Sequence, residues 1–211
     1  MIQNPGFEHS GRVKGFIRGY RRVFWQGSTD HRGTPAAPGR VATLTPDPTA
    51  KTWGVAYRLA GSPEEQRRTL RYLEWREKEY DQRLRVDVFE GEGSREPAVR
   101  DALLYLASSD RGANPNWVGE EPLERTAEIV ASAEGPSGPN YVYLFRLQRA
   151  LRDELGAADP DVDALAARVE TLLRRRGVGE DQFLGASAGD HSHWKDEETT
   201  EKIARAQSIK A

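Results

Sequence analysis

Between Trp53 and Leu59 apolar and polar positions alternate with the two-residue period of a half-buried strand. Trp53, Val55, Tyr57 and Leu59 share one face, and Gly54, Ala56 and Arg58 take the other. A looser alternation through residues 12–25 carries Val13, Phe16, Ile17, Tyr20, Val23, Phe24 and Trp25. It predicts one long bent strand or two strands, with Gly15 and Gly19 at bulge or close-approach positions. Residues 41–44 read as a short strand ended by Pro46-Asp47-Pro48. Leu84, Val86 and Val88 alternate ahead of a Gly-rich turn at residues 90–94, and the apolar run at residues 99–107 fits a buried strand better than a short helix. Elsewhere the period lengthens. Ser62-Pro63-Glu64-Glu65 supplies an N-cap Ser, a Pro at the first helical position and a Glu to close a capping box. The helix it starts is predicted to run through Asp81. Further helices are predicted from Pro122 to about residue 131, from Asn140 to about residue 155, and from Asp161 to about residue 175, with Gly135-Pro136-Ser137-Gly138-Pro139 separating the first two. Strands come first and helices last, which predicts an α+β fold.

Composition narrows the setting. The chain has 211 residues, enough for one domain with a core plus an appendage. Residues 1–177 are expected to form that domain. After Gly177 Gly, Ser, His, Asp, Glu and Lys dominate, so residues 178–211 are expected to be a polar tail. The formal charge of -2 argues against a broad nucleic-acid footprint. Arg18, Tyr20, Arg21, Arg22 and Trp25 do interleave basic and aromatic side chains, but a half-buried strand has the same look. No apolar run reaches the ~18 residues that span a bilayer, and no secretory leader follows Met1. With no cysteine there is no disulfide and no thiol nucleophile. A soluble, cytoplasmic, monomeric protein is expected.

Few candidate chemistries survive. Only His9 and His31 precede the tail, which leaves metal hydrolysis poorly supported, and Asp190, His191 and His193 lie in a segment where a metal site is not expected. No Gly-x-Ser-x-Gly elbow, dinucleotide fingerprint or P-loop is present. What remains starts with Glu77. At about 100° per residue it falls in the arc of Leu70 and Leu73, where a desolvated carboxylate would gain the basicity of a general base; if the helix frays earlier, it is a solvated surface charge. The loop at residues 28–35 gathers Asp30, His31 and Arg32, either as a site wall or as a self-satisfied turn. The helix start at Pro139-Asn140 offers free backbone N–H groups to an anion. Tyr143, one turn in, either presents its hydroxyl there or packs beside Leu144 and Leu147.

Several of these stretches together resemble one family. They are Asn4-Pro5-Gly6-Phe7, Gly11-Arg12-Val13-Lys14-Gly15, Trp25, Ser28-Thr29-Asp30-His31-Arg32-Gly33-Thr34-Pro35, Pro38-Gly39-Arg40-Val41, Trp53-Gly54-Val55-Ala56-Tyr57, Tyr72-Leu73-Glu74-Trp75-Arg76-Glu77, and Gly135 through Tyr141. In this order and spacing they resemble the ChaC-type gamma-glutamylcyclotransferases, from about residue 4 to about residue 173. The resemblance implies a small, curved, mixed β-barrel or sheet with helices around it. It implies cleavage of glutathione, whose own α-amine attacks its γ-carbonyl to give 5-oxoproline and cysteinylglycine, with no cofactor and no metal. It puts the catalytic glutamate at Glu77 and makes Ile2, Asp30, Arg32, Gly33, Asn140 and Tyr143 substrate-site residues. The family's Tyr-Gly-Ser-Leu loop would end at Met1, so the first strand is expected to be missing. A non-catalytic relative that binds gamma-glutamyl peptides or a protein partner is the second reading.

Overall fold

The computed structural model describes residues 5–184. Its first third is a single antiparallel ribbon, β1 (His9–Ser28) on β2 (Gly39–Leu59). The alternation in residues 12–25 thus belongs to one bent strand. The bend sits where pairing slips: Tyr20 faces Pro46, Arg18 faces Lys51, and Gly19 between them adopts φ 83°, a conformation that costs glycine little. Pro46-Asp47-Pro48 does not end the strand as expected. It lies in the same slip, where an N–H is not needed for the ladder, and Asp47 caps the excursion by accepting from Thr49 N–H at 3.0 Å.

Helix α1 (Pro63–Arg76) begins as its sequence requires, with Ser62 accepting from Glu65 N–H and Glu65 accepting from Ser62 N–H at 2.7 Å. It ends a full turn before Asp81. Glu77 is its C-cap, and Tyr80 N–H folds back to the Glu77 carbonyl at 2.9 Å. The second hairpin follows, β3 (Gln82–Val88) on β4 (Val99–Leu106), so the apolar run does form a strand. Then come α2 (Leu123–Ser132), a two-residue hairpin of β5 (Glu134–Gly135) and β6 (Gly138–Pro139), α3 (Asn140–Arg149) running into a π turn (Ala150–Glu154), and α4 (Pro160–Arg175).

The α+β order is as expected; the barrel is not. Among the described residues the strands form three two-stranded antiparallel sheets, and none closes. The two large hairpins meet edge to edge at one bridge, where Phe16 and Phe89 exchange N–H···O bonds of 2.9 Å. Helices α2, α3 and α4 build the core with Ala127, Val130, Leu144, Leu147, Val162 and Val169, and Phe24 joins them from β1. Residues 178–184 join this core too: Phe183 stacks on Phe145 at 4.8 Å between ring centroids. The remaining residues of the expected tail, with Asp190, His191 and His193, lie outside the described residues. No helix among those described is long and apolar enough to cross a membrane.

Candidate active site

Helix α1 stops at Arg76 and Glu77 is its C-cap, with the Glu77 N–H still donating to the Leu73 carbonyl at 2.8 Å. Its carboxylate is 19% exposed and is gripped by the neighbouring guanidinium, Arg76 Nε to Glu77 Oε1 at 2.9 Å. Oε2 has no hydrogen-bond partner among the described residues. Arg76 also donates to the Pro5 carbonyl at 2.5 Å, which delivers the start of the described chain beside Glu77. Ile2 lies outside the described residues.

Three further pieces of chain converge on this turn. The first is the loop between β1 and β2. Ser28 Oγ accepts from Arg32 N–H at 3.0 Å, and the Arg32 guanidinium donates to the Ser137 carbonyl at 2.5 Å. His31 Nδ1 meets Ser137 Oγ at 2.7 Å, and Ser137 N–H donates to the His31 carbonyl at 3.0 Å. Burial of part of the ring and then the Arg32 charge lower the His31 pKa, while Asp30 and Glu77 oppose them. His31 therefore lies within electrostatic reach of Glu77. The loop is locked by close backbone packing: a Cβ on Gly33 would lie 2.5 Å from the Ser28 carbonyl, and one on Gly135 would lie 2.5 Å from Gly33 N. Gly33 is thus a contact point of two backbones, with no side chain to offer.

The second piece is α3. Asn140 is fully buried, accepting from Arg40 N–H at 2.6 Å and donating to the Arg40 carbonyl at 2.9 Å. Both of its amide atoms are engaged by the backbone of β2, and its own N–H is bonded to the Ala133 carbonyl. It anchors the wall and does not face an opening. Tyr143 Oη accepts from Ala42 N–H at 3.1 Å, and Tyr80 Oη donates to the Ala42 carbonyl at 3.0 Å, so two phenols bracket one residue of β2. Burial, first of all, raises the pKa of both, and the Glu77 charge adds to the rise.

The third piece is a pair of buried amides. Gln26 and Asn114 bond to each other through both atoms, at 2.9 and 3.2 Å, and Gln26 also donates to the Glu79 carbonyl at 3.2 Å. They fix the turn that carries Glu77 against β1 and the loop after β4. Sequence reasoning missed this pair, as it missed Tyr80 and Ser137; a polar residue such as Gln26 within an apolar strand was the available signal.

The structure thus brings Glu77, His31, Tyr80 and Tyr143 into one neighbourhood, with Asp30 beside it on Lys78. Arg32 and Asn140 serve its frame. Cavities of about 330 and 320 Å³ lie elsewhere, the first lined by Phe145, Arg149 and Phe183, the second by Arg22, Trp53 and Asp159, and neither includes Glu77.

Known proteins resemble this chain over most of its length. The model of the family described as ChaC-like protein matches residues 1–172. Gamma-glutamylcyclotransferase 2-3 of Arabidopsis thaliana is 46% identical over 173 residues, covering 82% of this chain and 86% of its own. Glutathione-specific gamma-glutamylcyclotransferase 1 of Danio rerio is 38% identical over 165 residues, covering 77% and 79%. A crystal structure of a yeast gamma-glutamylcyclotransferase specific to glutathione superposes with a TM-score of 0.66 at 31% identity, over 81% of this chain and 94% of that one.

Proposed function

This chain belongs to the ChaC-like family, and from that premise we propose that it is a gamma-glutamylcyclotransferase that splits glutathione into 5-oxoproline and cysteinylglycine. Glu77 is the general base and acid. The observation that carries the assignment of Glu77 is its placement: a carboxylate fixed through one oxygen by Arg76, with the other oxygen unengaged among the described residues, at the meeting point of the loop, Tyr80 and Tyr143.

The chemistry needs little more than a base and a mould. The substrate's α-ammonium is no nucleophile until it loses a proton, which Glu77 Oε2 accepts. The α-nitrogen then attacks the γ-carbon, a C–N bond forms, and the carbonyl becomes an oxyanion. Its collapse breaks the amide bond to cysteine as Glu77 gives its proton to the departing nitrogen. The ring nitrogen then loses its extra proton through the same carboxylate to the freed amine, which leaves as an ammonium beside a neutral lactam. Nucleophile and electrophile share one molecule, so the protein's main task is to hold the γ-glutamyl chain folded toward closure.

The loop at residues 30–33 and Tyr143 are the walls of that mould, and Asn140 holds them through β2. Ile2, outside the described residues, is proposed as a further substrate-site residue on the family resemblance. Charge growing on the γ-carbonyl oxygen calls for preorganised N–H donors beside Glu77. The protein acts as a cytoplasmic monomer without cofactor.

Incubation with glutathione, followed by quantitation of both products, tests the reading. Equimolar 5-oxoproline and cysteinylglycine are expected, with N-acetylglutathione untouched because its nitrogen cannot attack. Release of free glutamate would mean attack by water and would overturn the mechanism. Binding of glutathione without product would favour a non-catalytic relative.

A further inference from the structure

Gln26 and Asn114 are 0% and 3% exposed, and every polar atom of both side chains is hydrogen-bonded. Two buried amides regain in hydrogen bonds little more than they lose in desolvation, so apolar side chains of the same size would fill this space as well. What the amides add is direction. Gln26 Nε2 donates at 3.2 Å to the carbonyl of Glu79, two residues after Glu77. That carbonyl lies between the end of α1 at Arg76 and the first pair of β3 at Gln82, outside both helix and ladder. Asn114 Nδ2 donates in turn to the Ser108 carbonyl at 2.9 Å. Ser108 closes the circuit, with its N–H on Asp81 Oδ1 at 2.7 Å and its hydroxyl on Asp81 Oδ2 at 2.5 Å. The turn after Glu77 is thus held at residue 79 and again at residue 81.

We propose that Gln26 is a positioning residue for the reaction: by holding the Glu79 carbonyl it sets the place of the Glu77 carboxylate against the bound γ-glutamyl chain, and Asn114 aims it. The inference rests on the proposed function above.

The turn has little other hold on the sheet. Glu77 N–H donates to the Leu73 carbonyl and Tyr80 N–H to the Glu77 carbonyl, at 2.8 and 2.9 Å, but both bonds travel with α1. Among the fourteen residues of α1, Leu73 alone is buried, so the helix anchors its own end weakly. The Lys78–Asp30 ion pair is exposed on both sides and screened by salt. Tyr80 Oη reaches β2 at the Ala42 carbonyl, and Gln26 supplies the hold on β1. Two residues further along β1, Ser28 Oγ takes the Arg32 N–H of the loop wall. One strand end therefore places both the base and the wall that faces it, and a catalytic group displaced by about 1 Å can lose about 10²-fold in rate.

The test replaces Gln26 by Met in the full chain, which keeps the length of the side chain and removes its amide. At saturating glutathione kcat is expected to fall by about 10²-fold with KM near the wild-type value, because the base is misplaced and no substrate contact is lost. Phe183→Ala is the control, destabilised at its stack on Phe145. Assayed where circular dichroism shows both variants folded, it should keep the wild-type kcat. A wild-type kcat in Gln26→Met, a raised KM alone, or an equal loss of kcat in Phe183→Ala would overturn the proposal. If Gln26→Met does not fold, Asn114→Ser takes its place. It leaves Gln26 in reach of Glu79 but unaimed, and an unchanged kcat there overturns the proposal equally.

One readout stands apart from activity. Amide exchange of Tyr80, whose N–H is held by the Glu77 carbonyl, should quicken in the variant relative to that of Val130 in α2, and an unchanged ratio overturns the proposal. If the wild type forms no 5-oxoproline, the proposed function fails, and the exchange then decides whether Gln26 holds the turn.

Discussion

Replacing Asn140 by Ala separates a residue that builds the site from one that touches substrate. Asn140 is 0% exposed, Arg40 is 4% exposed, and the two side-chain hydrogen bonds between them are the ones described above, at 2.6 and 2.9 Å. Removing the amide leaves one backbone N–H and one carbonyl of β2 without these partners. Each orphaned buried polar group costs about 1–3 kcal/mol, so the pair costs about 2–6 kcal/mol. Against a total stability of about 5–15 kcal/mol, that is a large share. Urea unfolding followed by circular dichroism reads it directly. With a slope of about 1–3 kcal/mol per molar, the midpoint should fall by at least about 0.7 M. Asn140→Asp keeps an acceptor for the Arg40 N–H but sets a carboxylate against the Arg40 carbonyl, so it should be destabilised as well. A stability loss below ~1 kcal/mol accompanied by a raised KM would refute the reasoning and make Asn140 a substrate contact.

Gly33→Ala should destabilise by at least about 1–3 kcal/mol in the same assay, because its Cβ would meet the Ser28 and Ala37 carbonyls at 2.5 and 2.7 Å, and backbone cannot move aside cheaply. A neutral Gly33→Ala would mean that the loop is not locked as described. Phe183→Ala should cost about 3 kcal/mol, near the low end for a buried aromatic since it sits close to the end of the described chain, and no loss would show that the Phe145–Phe183 stack is not a core contact.

Local rules were readable in the sequence, and long-range ones were not. The start of α1 needs only four residues, Ser62 to Glu65, whose side chains and main chain satisfy one another, and it is where the pattern put it. Its end is different. Lys78 and Glu79 carry good helix propensity, but tertiary partners (Gln26 on the Glu79 carbonyl, Asp30 on Lys78) draw the turn out of helical geometry. Glu77 was singled out on the arc of Leu70 and Leu73. It is the last residue whose N–H reaches back to that face, bonding the Leu73 carbonyl at 2.8 Å, and the chain leaves the helix directly after it. Pro46 and Pro48 read as a stop because proline lacks an N–H, yet the slip opposite Gly19 makes that N–H unnecessary. Asn140 looked like a ligand-facing helix start, since nothing in the sequence says that Arg40, 100 residues earlier, takes both of its amide atoms. Phe183 was lost in polar company. Its partner Phe145 lies on another helix, beyond the reach of any periodicity.

The central claim is that Glu77 moves the proton in a reaction the substrate otherwise performs on itself. Glu77→Gln keeps the shape and loses only a half-exposed ion pair to Arg76, so its urea midpoint should match the wild type within the equivalent of ~1 kcal/mol. Its rate of 5-oxoproline formation from glutathione, measured beside the wild type and a Glu74→Gln control, should fall by about 10²–10⁴-fold, the usual loss of a general base. Glu74 lies in exposed contact with Arg83, and its replacement should leave the rate unchanged. A folded Glu77→Gln protein that turns glutathione over at the wild-type rate would contradict the account.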